Sequence, residues 1–205
     1  MLDRYILPRT SSFLSFCARL LHARDITANR VTLFGLCCGL VTLPLLAVEQ
    51  YIPALFCICL NRFLDGVDGA LARIQGASDD GAYLDIVCDF IFYAVVVLGF
   101  ALAAPGENAL AADLLLAAFM GTSSSFLAFA VFAERRSLPL IVYPSKGFYY
   151  LGGLAEGTET ICFFILFCLL PQWFPALALF FALLCLVTTV VRVFFAYRLL
   201  QEPHP

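Results

Sequence analysis

Residues 61–90 read NRFLDGVDGALARIQGASDDGAYLDIVCDF and contain six aspartates. They belong to a chain of 205 residues that is 62% hydrophobic and 13% charged, whereas a soluble domain has roughly 25% charged residues. A charged side chain inside a membrane helix costs at least about 2.5 kcal/mol by insertion scales, so such residues usually face a cavity or a partner. The stretch therefore indicates both how the chain folds and where its function lies.

The composition predicts an all-α integral membrane protein with one domain over residues 1–205. Apolar stretches of about 20 residues, the length that crosses a bilayer, can be laid out six times. We predict six transmembrane helices that form a bundle over residues 31–197: 31–48, 52–72, 82–104, 110–132, 148–170 and 174–197. Residues 10–24 predict an N-terminal amphipathic helix along the interface, with an apolar face formed by Phe13, Phe16, Cys17, Leu20 and Leu21.

The basic residues predict the orientation of this bundle. If the N-terminus is cytoplasmic, the loops on the far side lie near residues 49–51, 104–109 and 170–174, and none contains lysine or arginine. This distribution obeys the positive-inside rule and places both termini in the cytoplasm. We therefore expect a multi-pass protein of the inner (plasma) membrane.

The remaining composition excludes several classes of site and partner. The net charge is −3 and there is no basic cluster, so nothing indicates a nucleic-acid partner. The nine cysteines are scattered through apolar segments without the spacing of zinc or redox sites, which favours small apolar packing residues. The run GTSSS at residues 121–125 predicts close helix packing, within the bundle or at a homodimer seam.

Four of the six aspartates are predicted to share one pocket. If the second and third spans form an antiparallel hairpin turning near Ala77, Asp65 lies twelve residues before the turn and Asp89 twelve after it. Asp68 lies nine before it and Asp85 eight after it. Within each helix the two aspartates are three or four residues apart and share a face, on the order of 10 Å inside the cytoplasmic end. The four carboxylates therefore converge in a pocket open to the cytoplasm.

Such a cluster indicates divalent cations, because like charges at close range cannot all stay ionised without compensation. Oxygen-only ligands favour magnesium or manganese, and two such ions a few ångström apart suit phosphate chemistry. Asp79 and Asp80 are placed in the turn, where hydrated surface charge is expected. Gly66, Gly69 and Gly81 let either a ligand or a neighbouring helix approach the backbone.

The spacing D-x2-D-G-x2-A-R-x7-G-x3-D-x3-D, from Asp65 to Asp89, resembles the signature of the CDP-alcohol phosphatidyltransferase family. The upstream segment ITANRVTLFG (residues 26–35) is also similar to that family. The commonest spacing in the family has eight residues between the arginine and the second glycine, whereas this chain has seven. Ser78 and Asp79 are therefore both candidates for the nucleotide contact in the turn.

The resemblance implies an enzyme that transfers a phosphatidyl group from CDP-diacylglycerol to an alcohol and releases CMP. It implies that Asp65, Asp68 and Asp85 coordinate two magnesium or manganese ions. It further implies that Asp89 helps to bind the second ion and accepts the proton of the alcohol. Contacts to the cytidine nucleotide and its phosphates are implied for Asn29, Thr32, Gly69, Arg73, Ser78 and Gly81.

The acceptor alcohol is not assigned by the sequence. Lys146 lies at the cytoplasmic boundary of the fifth span, and Glu156 and Glu159 lie in its inner part. Glutamates within a membrane indicate a site, so these three residues are candidates for binding the acceptor. Pairing of the glutamates with Arg192 or another basic residue is the structural alternative.

Paired carboxylates at membrane depth are also found in ion pathways. A divalent-cation transporter or channel is therefore the second functional interpretation. The distribution of the acidic residues weakens this interpretation. The aspartates lie in the cytoplasmic third of the bundle, and no acidic cluster on the far side would continue an ion path across the membrane.

Overall fold

A computed structural model describes residues 3–136 and 155–201, and every regular element within those two ranges is helical. The helices in chain order are α1 (Asp3–His22), α2 (Ala28–Leu40), α3 (Thr42–Ala47), α4 (Tyr51–Gln75), α5 (Asp79–Ala103), α6 (Pro105–Arg135), α7 (Gly157–Leu169) and α8 (Phe174–Gln201), with a short 3-10 helix at Pro171–Trp173. The all-α prediction is therefore confirmed for these residues.

Four segments in the described ranges are long and apolar enough to cross a membrane: Ala28–Ala47, Asp79–Ala103, Pro105–Arg135 and Pro171–Gln201. Helix α4 has 25 residues, but it contains the charged side chains of the signature. Helix α7 is apolar and has 13 residues, while residues 148–154 of its predicted span lie outside the described part. The count of six spans therefore stays a prediction.

The first predicted span consists of two helices, α2 and α3, which meet at Val41. Pro44 has no N–H to donate to the carbonyl of Leu40, and this explains why the hydrogen-bond ladder is interrupted here. The hydroxyl of Thr42 instead donates to the carbonyl of Gly39 at 2.6 Å.

Helix α1 begins at Asp3 and ends at His22, rather than covering the predicted residues 10–24. One of its faces packs on α4, where Leu14 Cδ1 would lie 3.0 Å from a Cβ added to Gly66. Its other face carries Phe13, Phe16 and Leu20, each more than half exposed. The predicted apolar stripe is therefore only partly exposed, because its Cys17 and Leu21 pack with Leu14 against the cluster around Val67 and Leu71. These contacts anchor α1 to the helix that carries Asp65 and Asp68.

Phenylalanines from α5, α7 and α8 fill the largest core cluster; the fully buried ones are Phe92, Phe100, Phe164, Phe167, Phe174 and Phe181. Helices α6 and α8 approach each other closely at a glycine of α6. A Cβ on Gly121 would lie 3.2 Å from the Thr189 hydroxyl of α8, so this part of the GTSSS run packs within the bundle, as predicted. This core holds the site-bearing hairpin, α4 and α5, against the second half of the chain.

The hairpin turns where the sequence predicts. Helix α4 ends at Gln75, and Gly76 has φ +94°, a left-handed conformation that glycine adopts without strain. The hydroxyl of Ser78 caps α5 by accepting the Gly81 N–H at 3.3 Å. The Gln75 amide donates to the Ile26 carbonyl at 2.7 Å and accepts the Ala28 N–H at 3.1 Å. This double contact ties the hairpin turn to the start of α2.

Candidate active site

The structure brings the four predicted aspartates together. Carboxylate oxygens of Asp65, Asp68 and Asp85 lie within 4.8 Å of one another. Together with Asp89 they line a small pocket between α2, α4 and α5, whose other lining residues are Thr32, Gly35, Leu36, Asn61, Arg62 and Cys88. The hairpin register predicted that the aspartates of α4 and α5 lie at the same depth, and in the structure their side chains are close together.

The carboxylates fit a divalent cation. Asp68 is 4% exposed, and its buried Oδ2 has no hydrogen-bond partner among the residues that the structure describes. Leaving a buried charged oxygen unpaired is costly, so such groups are normally paired or bound to a metal. Three carboxylate oxygens at these separations form an oxygen-only set of the kind that magnesium and manganese prefer.

An arginine contacts two of the four aspartates, and Asp89 is the one that it holds at hydrogen-bond distance. Arg62 Nη2 lies 2.7 Å from Asp89 Oδ1, and Arg62 Nη1 lies 3.6 Å from Asp65 Oδ2. Arg62 is not among the site residues predicted from the sequence. Its position three residues before Asp65, on the same helix face, was the signal that could have revealed it.

Three of the predicted nucleotide-binding residues meet where α5 begins. A Cβ on Gly81 would lie 3.1 Å from both Asn29 Oδ1 and Ser78 Oγ, and the Asn29 amide donates to Asp80 Oδ2 at 2.8 Å. Glycine at position 81 therefore allows this close approach, and a larger residue would require the two side chains to shift by a few tenths of an ångström. Asp79 and Asp80 form the first turn of α5 rather than the turn between helices. This corrects the prediction, because the Ser78 cap starts the helix earlier, and carboxylates are favourable at a helix N-terminus.

The other predicted nucleotide-binding residues lie at two nearby places. Thr32 lines the carboxylate pocket. Arg73 is exposed near the end of α4 and folds back along its own helix, so that its Nη1 lies 3.8 Å from a Cβ built on Gly69. Its guanidinium is thus near the mouth of the hairpin but does not line the pocket.

The glutamates of the predicted acceptor site lie at the start of α7, and Lys146 is outside the described residues. Glu156 is the N-cap residue of α7, Glu159 is in the first turn, and one carboxylate oxygen of Glu159 is buried. A Cβ on Gly157 would lie 3.8 Å from the Tyr93 hydroxyl, and the Tyr93 ring centroid is 5.5 Å from the Arg62 guanidinium. The start of α7 therefore lies close to Tyr93, which borders Arg62, while the lining of the carboxylate pocket includes neither glutamate.

The comparisons with known proteins agree with this geometry. The sequence model for CDP-alcohol phosphatidyltransferase matches residues 25–199. The chain belongs to the CDP-alcohol phosphatidyltransferase family. The resemblance seen in the signature is thereby confirmed, and membership indicates CDP-alcohol phosphatidyltransferase activity.

One relative is similar to this chain over nearly the full length of both proteins. Inner membrane protein YnjF of Escherichia coli (strain K12) is 51% identical over 202 residues, which is 98% of each chain. Among solved structures, the Mycobacterium tuberculosis phosphatidylinositol phosphate synthase with CDP-DAG bound superposes with a TM-score of 0.72 at 20% identity, covering 90% of this chain and 93% of that one. A second structure of that enzyme, in complex with manganese and citrate, gives the same TM-score at 21% identity, with 90% and 88% coverage. These two likenesses show a shared fold.

Proposed function

We propose that the protein transfers a phosphatidyl group from CDP-diacylglycerol to an alcohol and releases CMP. The observation that carries this proposal is the convergence of four aspartates, on the signature hairpin of the family, around one pocket. The competing cation transporter has no comparable support, because no comparison points to it. The test is to incubate purified protein with CDP-diacylglycerol and a panel of alcohols and to measure CMP; the absence of CMP with every alcohol would refute the proposal.

In this proposal the donor lies across the mouth of the hairpin. The Asn29, Ser78 and Gly81 group at the start of α5 contacts the cytidine end. Arg73 presents a planar fork suited to phosphate oxygens, and the absence of a side chain at Gly69 leaves room for the diphosphate. Thr32 lies deeper, beside the carboxylates.

The transfer is a substitution at phosphorus. The hydroxyl oxygen of the alcohol forms a bond to the phosphorus that carries diacylglycerol, and the bond from that phosphorus to the bridging oxygen breaks. CMP leaves with the bridging oxygen and its electron pair. Asp89 takes the hydroxyl proton on a carboxylate oxygen, since a carboxylate within hydrogen-bond reach can act as general base.

Asp65, Asp68 and Asp85 would hold one magnesium or manganese ion, and Asp89 would contribute to a second. Divalent ions bound there would polarise the phosphoryl oxygens and neutralise charge on the departing CMP. The protein supplies the fixed carboxylates, which the paired helices α4 and α5 hold at one depth.

The alcohol enters from the side of α7, where Glu156 and Glu159 lie at the start of the helix. Glu156→Gln and Glu159→Gln should each raise the KM for the alcohol by about tenfold, because a hydrogen bond to a charged group contributes roughly 1.5–3 kcal/mol. Turnover should change little if the contact is equally strong in the ground and transition states. Steady-state kinetics at varied alcohol and fixed CDP-diacylglycerol measures both quantities.

Glu107→Gln is a matched control, because this glutamate is in the first turn of α6 and is exposed. Normal alcohol KM and unchanged preference among alcohols in both α7 variants would contradict the acceptor assignment. The glutamates would then be structural residues, and the acceptor pocket would lie elsewhere.

We place the protein in the inner (plasma) membrane with both termini and the active site in the cytoplasm. Gly106→Cys should react with a membrane-impermeant thiol reagent in intact spheroplasts, whereas Ala77→Cys should react only after permeabilisation. Both positions are exposed, and the six cysteines that are not buried would first be replaced by alanine. If Ala77→Cys but not Gly106→Cys were labelled in intact spheroplasts, the orientation would be opposite to the one proposed.

A further inference from the structure

A partly buried arginine contacts two of the four carboxylates at unequal distances. Arg62 Nη2 contacts Asp89 at 2.7 Å, and the same guanidinium reaches Asp65 at 3.6 Å. Asp65, Asp68 and Asp85 form a compact three-carboxylate group, whereas Asp89 is held by a cation that the chain itself provides. The four aspartates are thus not equivalent ligands.

Arg62 is fixed in this place by its own surroundings. Its Nε donates to Asn61 Oδ1 at 2.8 Å, and the Asn61 amide donates to the Gly35 carbonyl at 2.9 Å. The guanidinium carbon lies 4.7 Å from the centroid of the Phe92 ring, a distance suited to a cation–π contact. Only 15% of the side chain is exposed.

Gly39 packs closely against Asn61 and Phe92, the two residues that hold Arg62. A Cβ there would lie 2.7 Å from the Phe92 ring and 3.1 Å from Asn61 Nδ2. The helix α2 backbone therefore presses directly on two residues that hold Arg62. An arginine that snorkelled to the interface would turn its head group toward water, whereas Arg62 points inward to the carboxylates.

We propose that Arg62 is a positioning residue that occupies Asp89 and makes the two cation sites of the pocket unequal in affinity. The first ion binds to Asp65, Asp68 and Asp85, where it meets Arg62 only through the longer contact of 3.6 Å to Asp65 and not through the 2.7 Å contact to Asp89. A second ion must share Asp89 with a guanidinium at hydrogen-bond distance, and repulsion between like charges weakens its binding. This inference rests on the proposed metal-dependent function, but ion binding can be measured without turnover.

The experiment is a Mn²⁺ titration of the purified full-length protein, followed by electron paramagnetic resonance of the free ion. Wild-type protein should bind one Mn²⁺ tightly and a second at least tenfold more weakly. Arg62→Gln should tighten the second site by tenfold or more, and Arg62→Lys should tighten it less, because lysine keeps the charge but lacks the planar fork that reaches both carboxylates. Arg19→Gln, which removes an exposed charge on α1, should leave both affinities unchanged.

Two equally tight Mn²⁺ sites in the wild-type protein would overturn the proposal, and this result does not depend on whether Arg62→Gln folds. An unchanged second site in folded Arg62→Gln would overturn it as well. Unequal sites that respond to Arg62 as expected, in a protein that releases no CMP with any alcohol, would support this inference while refuting the proposed function.

Discussion

Asp65→Asn should abolish CMP release, lowering turnover by at least about a thousandfold while the protein still folds. Metal ions stabilise transition-state charge by several kcal/mol, and each 1.36 kcal/mol corresponds to a tenfold change in rate. Asp65 belongs to the compact three-carboxylate group, so its amide variant removes a ligand charge and retains the side-chain volume. CMP release and the thermal unfolding midpoint in detergent are the two measurements.

Asp113→Asn provides the matched control for this substitution. Asp113 is an exposed aspartate on α6 that does not line the carboxylate pocket, and its variant should keep wild-type turnover. Asp85→Asn should reproduce the Asp65→Asn result from the opposite helix of the hairpin. Turnover of a folded Asp65→Asn protein within a few fold of wild type would show that this carboxylate is not needed for the chemistry.

Asp89→Asn should lower turnover by about a hundredfold or more, which is the usual contribution of a positioned general base. Loss of a contact to the second ion would deepen the defect. The KM for the alcohol should change little, because the substitution leaves the residues proposed to bind the acceptor in place. Steady-state kinetics at varied alcohol separates this pattern from that expected for Glu156→Gln and Glu159→Gln.

The contrast between these variants tests the division of roles directly. Asp89 faces the cluster and Arg62, whereas the glutamates approach from α7. A raised alcohol KM with normal turnover in Asp89→Asn would move this residue from proton transfer to acceptor binding. Near-normal turnover and normal KM would remove it from the mechanism altogether.

The sequence predicted the fold and the centre of the site because both follow from local periodicity. The aspartates are spaced i, i+3 on one helix and i, i+4 on the next, so each pair shares a helix face. The glycine turn between the helices places the two pairs at the same depth, and the structure brings Asp65, Asp68 and Asp85 together. The division of the first span at Pro44 and the start of α5 at Asp79 were missed, since hydropathy windows do not resolve helix caps and breaks.

Arg62 was missed for a different reason. A basic residue in the cytoplasmic half of a predicted span satisfies the positive-inside rule whichever way its side chain points. Its inward orientation depends on contacts from α2 and α5, namely the Gly35 carbonyl behind Asn61 and the ring of Phe92. Such contacts join residues far apart in sequence, and periodicity within one helix does not predict them.

The most direct test of the central claim is transfer by the wild-type protein, reconstituted in lipid nanodiscs with CDP-diacylglycerol and a mixture of alcohols. We predict that CMP and a phosphatidylated alcohol appear in equal amounts, that excess chelator stops both, and that added Mg²⁺ or Mn²⁺ restores both. Transfer that continues at full rate in excess chelator, or CDP-diacylglycerol that remains intact with every alcohol and either metal, would contradict the account.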